Sequence, residues 1–152
     1  MAKISTQPLL LVEDSPEDYE TTVRALRRLG VANDIFHCVD GEDALNFLYR
    51  RGEYADADAA PRPGLILLDL NLPGTDGREV LEVIKEDRDL KAIPVIILTT
   101  SNDNRDVEDC YRNGANSYVQ KPVGFHAFQS AIERSTEFWF EIVIVLKKEY
   151  ER

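Results

Sequence analysis

The chain reads as an open, doubly wound α/β domain, a five-stranded parallel sheet with helices on both faces. Two observations predict it. Five short apolar runs recur, Leu9–Val12, Ile35–Val39, Leu65–Leu68, Val95–Leu98 and Ser117–Val119. Most are continuous rather than alternating, as strands buried on both faces require. Segments of helical spacing separate them, and strand–helix alternation calls for right-handed crossovers onto one sheet. The 152 residues suit a single domain, 1–152, large enough to bury its own core.

Each helix has its own signals. The first has Ser15 as cap, Pro16 at its first position and Glu17 and Asp18 at the positive end of the dipole. Val23, Leu26 and Leu29 form its apolar stripe, and Gly30 stops it. Ala44, Leu45, Phe47 and Leu48 mark the second helix. Val80, Leu81, Val83 and Ile84 mark the third, before Pro94 opens the next strand. Val107, Cys110 and Tyr111 mark the fourth, ended by Gly114, and Phe125, Phe128 and Ile132 begin the fifth. Arg51–Gly64, with Pro61 and Pro63, is the one long connection and is expected to be an exposed loop.

Composition narrows the function. Lys and Arg total 18 against 28 Asp and Glu, a formal charge of −10. That balance argues against nucleic acid and anionic membranes as partners, because phosphate contacts need cations. No apolar run approaches the ~20 residues of a membrane span. The N-terminal residues reach an acidic turn after four apolar residues, unlike a signal peptide, so a cytoplasmic protein is expected. Cys38 and Cys110 lack metal-like spacing and read as reduced, buried thiols.

Ligands in open α/β sheets bind beyond the carboxyl ends of the strands. There the chain places Glu13 and Asp14, then Asp69 with Asn71, then Thr99, Thr100 and Ser101, then Lys121 and Pro122. Singly, each has an ordinary reading as dipole acid, loop acid, strand residue or surface charge. Together they put three carboxylates, a hydroxyl and an ammonium on one rim. Crowded carboxylates need a cation or an upward pKa shift, and oxygen-only ligands suit Mg²⁺ or Mn²⁺. A carboxylate can also attack phosphorus, and the hydroxyl and ammonium can hold the phosphoryl oxygens. His37 and His126 are expected away from this rim.

Glu13-Asp14, Asp69 with Asn71 and Pro73-Gly74, Thr99, Tyr118 and Lys121-Pro122 resemble the receiver domain of two-component response regulators, over roughly Pro8 to Arg134. The stretch RPGLILLDLNLPGTDGREVLEVIK and the tail residues Glu137, Phe138 and Trp139 look most like single-domain regulators of bacterial phytochrome histidine kinases. The resemblance implies strand order 2-1-3-4-5 and Asp69 as phosphoacceptor. It implies Mg²⁺ on Asp14 and Asp69, with Glu13 acting through water and Asn71 through its backbone carbonyl. Thr99 and Lys121 would hold the phosphoryl group, Lys121–Pro122 would be a cis bond, and Tyr118 would be the switch aromatic. The partner would be a sensor histidine kinase, and catalysis would be limited to the protein's own phosphorylation and dephosphorylation. Thr100, where the family usually has a very small residue, would narrow access to Asp69. Asn71 and Ser101 cannot act as strong bases, which suggests a long-lived phosphoryl group.

Residues 135–152 exceed what a receiver needs. Only Glu141 is polar from Phe138 to Leu146, and the tail is expected to extend the fifth helix, although Ile142–Val145 would also suit a strand. So much apolar surface suits a homodimer through Phe138, Trp139, Ile142, Val145 and Leu146. The chain leaves little room for a separate output domain, so output is expected through protein contact or relay. The alternatives are a haloacid-dehalogenase-like phosphatase, a flavodoxin-like cofactor binder and a phosphorylation-independent interaction module. The first would want an acid where Asn71 stands. The second would want a phosphate loop where Glu13 and Asp14 stand. The third would not need the complete acid, Thr and Lys set.

Overall fold

In the computed structural model of the chain, the apolar runs form β1 (Leu9–Val12), β2 (Ile35–Cys38), β3 (Leu65–Leu68), β4 (Val95–Thr99) and β5 (Ser117–Gln120). The structure describes the backbone of residues 2–3, 7–56, 58–101, 103–122, 124–141 and 144–145, and the side chains of 7–56, 58–101, 103–122, 124 and 126–134. The strands pair in parallel in the order β2-β1-β3-β4-β5. Between them run α1 (Pro16–Arg28), α2 (Gly41–Tyr49), α3 (Gly77–Glu86) and α4 (Asn104–Arg112), and α5 (Phe125–Glu141) follows β5.

Strand residues alternate between two cores. Leu10, Val12, Ile66, Leu68, Val95 and Ile97 face Phe47, Leu81 and Ile84 of α2 and α3. Leu9, Leu11, Leu65, Leu67, Ile96 and Leu98 face Ala25 and Leu26 of α1 and Phe128 and Ile132 of α5. Both sets must be apolar, which is why the runs are continuous. Ser15, Asp40, Asp76 and Asp103 cap α1 to α4 with side-chain oxygens, each cap worth about 1 kcal/mol. The register aligns the strand ends: Val12 pairs with Leu68, Leu68 with Ile97, and Thr99 with Gln120. Glu13, Asp69, Thr99 and Lys121 therefore leave the sheet at one edge.

Two expectations need correction. Arg51–Gly64 is not simply an exposed loop. Gly52–Tyr54 forms a short 3-10 turn, and Ala60 is fully buried. Tyr54 packs edge-on against Phe47 and donates its hydroxyl to Asp43 at 2.6 Å. Arg50 and Arg62 reach the carbonyls of Ala60 and Asp89. The apolar body of Tyr54 draws the segment onto the core.

The tail also departs from a continuous helix. α5 ends at Glu141, and Ile144–Val145 form a strand antiparallel to Ala2–Lys3. Ile144 and Val145 are β-branched and favour extended backbone, and Lys3 and Ala2 supply their ladder partners. Of the proposed interface residues, Phe138 and Trp139 lie within α5 and Val145 within that strand, their side chains outside the described set. Ile142 and Leu146 lie outside the described residues altogether. Both cysteines are buried and free, and burial raises both thiols, Cys110 to about 11. They stay protonated and unreactive.

Candidate functional site

The aligned strand ends bring the predicted residues together. Lys121 donates to Glu13 at 2.5 Å, to Asp18 at 2.9 Å and to Asp69 at 3.2 Å. Glu13, Asp69 and Lys121 are only 2%, 7% and 7% exposed. Single oxygens of Glu13, Asp14 and Asp69 lie within 4.8 Å of one another, with Asp14 exposed. Thr99 is fully buried, and its hydroxyl accepts from the Asn71 amide at 3.3 Å. The Asn71 backbone N–H donates to Asp69 at 3.2 Å. Thr100 is exposed.

Electrostatics follow from crowding. Burial pushes the Glu13 carboxyl up to about 7, against the opposing pull of the Lys121 hydrogen bond and charge. Burial alone would push Lys121 down, but its bonds to Glu13 and Asp18 outweigh that and hold the ammonium above the ordinary lysine range. Lys121 is thus a permanent cation among acids. The cluster fits a hard divalent ion, since its donors are all oxygens and carry excess negative charge.

Several site residues escaped the sequence reading. Asp18, one turn beyond Asp14, is a lysine partner as well as a helix-dipole acid. His37 lies within β2, in register with Leu11, and touches the rim only through backbone. Its Nε2–H donates to the Glu13 carbonyl at 2.7 Å, and its ring stacks on Tyr19 at 3.8 Å. Gly77 donates its N–H to Leu70 at 3.0 Å, and a Cβ there would overlap the Asp69 carbonyl oxygen. The second glycine of LPGTDG was the available signal.

The Lys121–Pro122 bond is trans, since there is no cis bond among the described residues. The lysine is placed instead by the sheet ladder, its N–H donating to Thr99 at 2.7 Å, and by its three carboxylates. Tyr118 is half-buried against the α2–α3 core and donates its hydroxyl to the Ser101 carbonyl at 2.8 Å.

Nearby, Arg78 grips Asp106 with two bonds, of 2.8 and 2.7 Å. The Arg78 fork and then the Ser101 hydroxyl lower the Asp106 carboxyl from 3.8 to about 2. An acid depressed by folding adds stability above its ordinary value and loses it as pH falls through the folded one. Wild type should therefore lose about 1–2 kcal/mol between about pH 4 and pH 2 that Asp106→Asn does not lose, after allowing for solvent screening. Denaturant melts across that window measure it, and identical acid slopes for both proteins would contradict it.

The family model for the response regulator receiver domain matches residues 9–133. The chain belongs to that family. It is 42% identical to response regulator Rcp1 of Synechocystis sp. over 135 residues, covering 89% of this chain and 90% of Rcp1. The crystal structure of the phosphorylated cyanobacterial phytochrome response regulator RcpA superposes with a TM-score of 0.87 at 37% identity, covering 93% of this chain and 99% of RcpA. The Mn²⁺-bound form of Rcp1 gives 0.87 at 40% identity, with the same coverage of 93% and 99%. As a receiver, the chain is a two-component signalling protein similar to phytochrome response regulators. No helix among the described residues is long and apolar enough to cross a membrane.

Proposed function

We propose that the chain accepts a phosphoryl group from a phytochrome-type histidine kinase onto Asp69. The convergence of Glu13, Asp14, Asp69, Thr99 and Lys121 at one sheet edge carries this reading. An Asp69 oxygen attacks phosphorus in line, the O–P bond forms, and the donor's P–N bond breaks with its electron pair leaving on the histidine ring. Lys121 pairs with one phosphoryl oxygen and the Thr99 hydroxyl donates to another. Tyr118 is the switch aromatic that answers Thr99.

Glu13, Asp14 and Asp69, with the Asn71 backbone carbonyl, would hold Mg²⁺, and Mn²⁺ in the Rcp1 structure supports a divalent ion on such donors. When bound, the ion offsets the carboxylate charge and that of the phosphoryl oxygens. Asn71 is no base, and the Ser101 hydroxyl is already donated to Asp106 at 2.6 Å. The phosphoryl group should therefore last well beyond seconds, and loss of label within seconds, with no phosphatase added, would contradict this.

The protein works in the cytoplasm, catalyses nothing beyond its own phosphorylation and dephosphorylation, and acts without nucleic acid. It forms a homodimer through Phe138, Trp139, Ile142, Val145 and Leu146, supported by the apolar composition of the tail. A monomer mass at every concentration in sedimentation would remove the dimer. Label transfer from phosphorylated histidine kinases tests the main reading. Transfer should be fastest from a phytochrome-type kinase. Equal rates from unrelated kinases would remove that pairing, and no transfer from any would remove the phosphorelay.

A further inference from the structure

We propose that Asp106 is the positioning residue that seats Tyr118 inward, with Arg78 as its anchor and Ser101 as the connecting piece. The proposal rests on the reading above only for the use made of that seat.

Tyr118 sits on edge strand β5, where an aromatic ring can pack on the core or turn to solvent. It packs inward, with its hydroxyl on the Ser101 carbonyl at 2.8 Å. One neutral hydrogen bond holds little unless its acceptor is fixed. Ser101 is fixed by donating its hydroxyl to Asp106 at 2.6 Å. Asp106 is in turn gripped by the Arg78 fork, Nε to one oxygen at 2.8 Å and Nη2 to the other at 2.7 Å. The remaining Nη1 of Arg78 reaches both oxygens of Asp76, at 3.0 and 3.1 Å. Asp76 also caps α3 by accepting the Arg78 N–H at 2.8 Å. Arg78 follows Gly77, the residue set against the Asp69 carbonyl. A continuous set of contacts thus runs from the backbone of Asp69 to the hydroxyl of Tyr118, with a bidentate ion pair across α3 and α4 at its centre.

An ordinary surface ion pair would contribute little and would not move an aromatic ring on β5. This pair differs in geometry. A planar fork fixes both carboxylate oxygens, and one of those oxygens also holds the loop carrying the Tyr118 acceptor. The structure holds the inward placement of Tyr118, and an outward ring is the second state that a coupling of this kind requires.

The test reads the Tyr118 ring resonances in tyrosine-labelled protein, assigned with Tyr118→Phe. In Asp106→Asn the ratio of inward to outward ring should fall roughly fivefold, the loss of about one hydrogen bond's net worth. Arg78→Gln should act in the same direction, and Arg78→Lys should recover part of the effect, because the charge remains while the fork is lost. Either Asp106→Asn or Arg78→Gln suffices if the other fails to fold. Tyr118 resonances identical to wild type in a folded variant of either kind would overturn the proposal. Intact mass after treatment with acetyl phosphate is followed on the same samples. Asp106→Asn should gain a phosphoryl group at a rate within about threefold of wild type, because it removes no group from the Asp69 site. A wild type that gains none removes the functional reading and leaves the seating of Tyr118 to be decided by its resonances.

Discussion

Lys121→Ala should cost the fold about 3–5 kcal/mol in EDTA, because removing one partner of a buried ion cluster leaves uncompensated charge. Lys121 donates to Glu13, Asp18 and Asp69, and Glu13 is only 2% exposed. The lysine also lies 5.8 Å from the Phe128 ring centroid, so some packing goes with it. Excess Mg²⁺ should restore much of the loss, since a divalent ion on the same carboxylates replaces the missing positive charge. Chemical denaturation with and without Mg²⁺ gives both numbers. Equal stability of variant and wild type in EDTA would show that the lysine does not neutralise the cluster. The variant should still accept phosphate at Asp69, because the ammonium neither attacks nor leaves. It should signal poorly, because the phosphoryl group loses its pairing cation, and wild-type output would count against that coupling.

Gly77→Ala should also destabilise the fold, by less and for a different reason. The added Cβ would overlap the Asp69 carbonyl oxygen and come within 2.6 Å of Leu70 Cα. Both are backbone, so no rotamer change relieves the clash. Alanine gains about 1 kcal/mol of helix propensity over glycine. Overpacking costs about 1–3 kcal/mol, occasionally more, and a clash with backbone belongs at the upper end, so a net loss of about 2 kcal/mol is expected. The carbonyl displaced belongs to the phosphoacceptor, so Asp69 phosphorylation should slow by at least about tenfold, as small misplacements of reacting groups do. Gly74→Ala is the control. Its φ of 68° is strained for alanine, but nothing lies within 4 Å of a Cβ there. It should cost only about 1 kcal/mol. Phosphorylation of Gly77→Ala at the wild-type rate would show that the close approach does not set the site.

What the sequence made legible was local. Each buried strand is a run of adjacent apolar residues, and each rim acid follows such a run directly, so Glu13, Asp14 and Asp69 could be placed by counting along the chain. Asp18 could not, because its partner Lys121 is 103 positions away and its place in a first helical turn already explained it. His37 sits within a strand, and although the implied strand order already set β2 beside β1, it did not say that this side chain reaches forward to the Glu13 carbonyl. Arg78 and Asp106 are 28 positions apart on different helices, a pairing no periodicity encodes. The tail suited both a longer fifth helix and a strand, and α5 runs to Glu141 before Ile144–Val145 pair as a strand. Ladder partners at Ala2–Lys3 let Ile144 and Val145 follow their β-branched preference.

Asp69 as the acceptor in a cage built by Glu13, Asp14, Thr99 and Lys121 is open to a single experiment. Intact mass after incubation with acetyl phosphate and Mg²⁺, wild type beside Asp69→Asn, tests it most directly. Wild type should gain about 80 Da, one phosphoryl group, and Asp69→Asn should gain nothing. An equal gain in both proteins, or none in wild type, would contradict it.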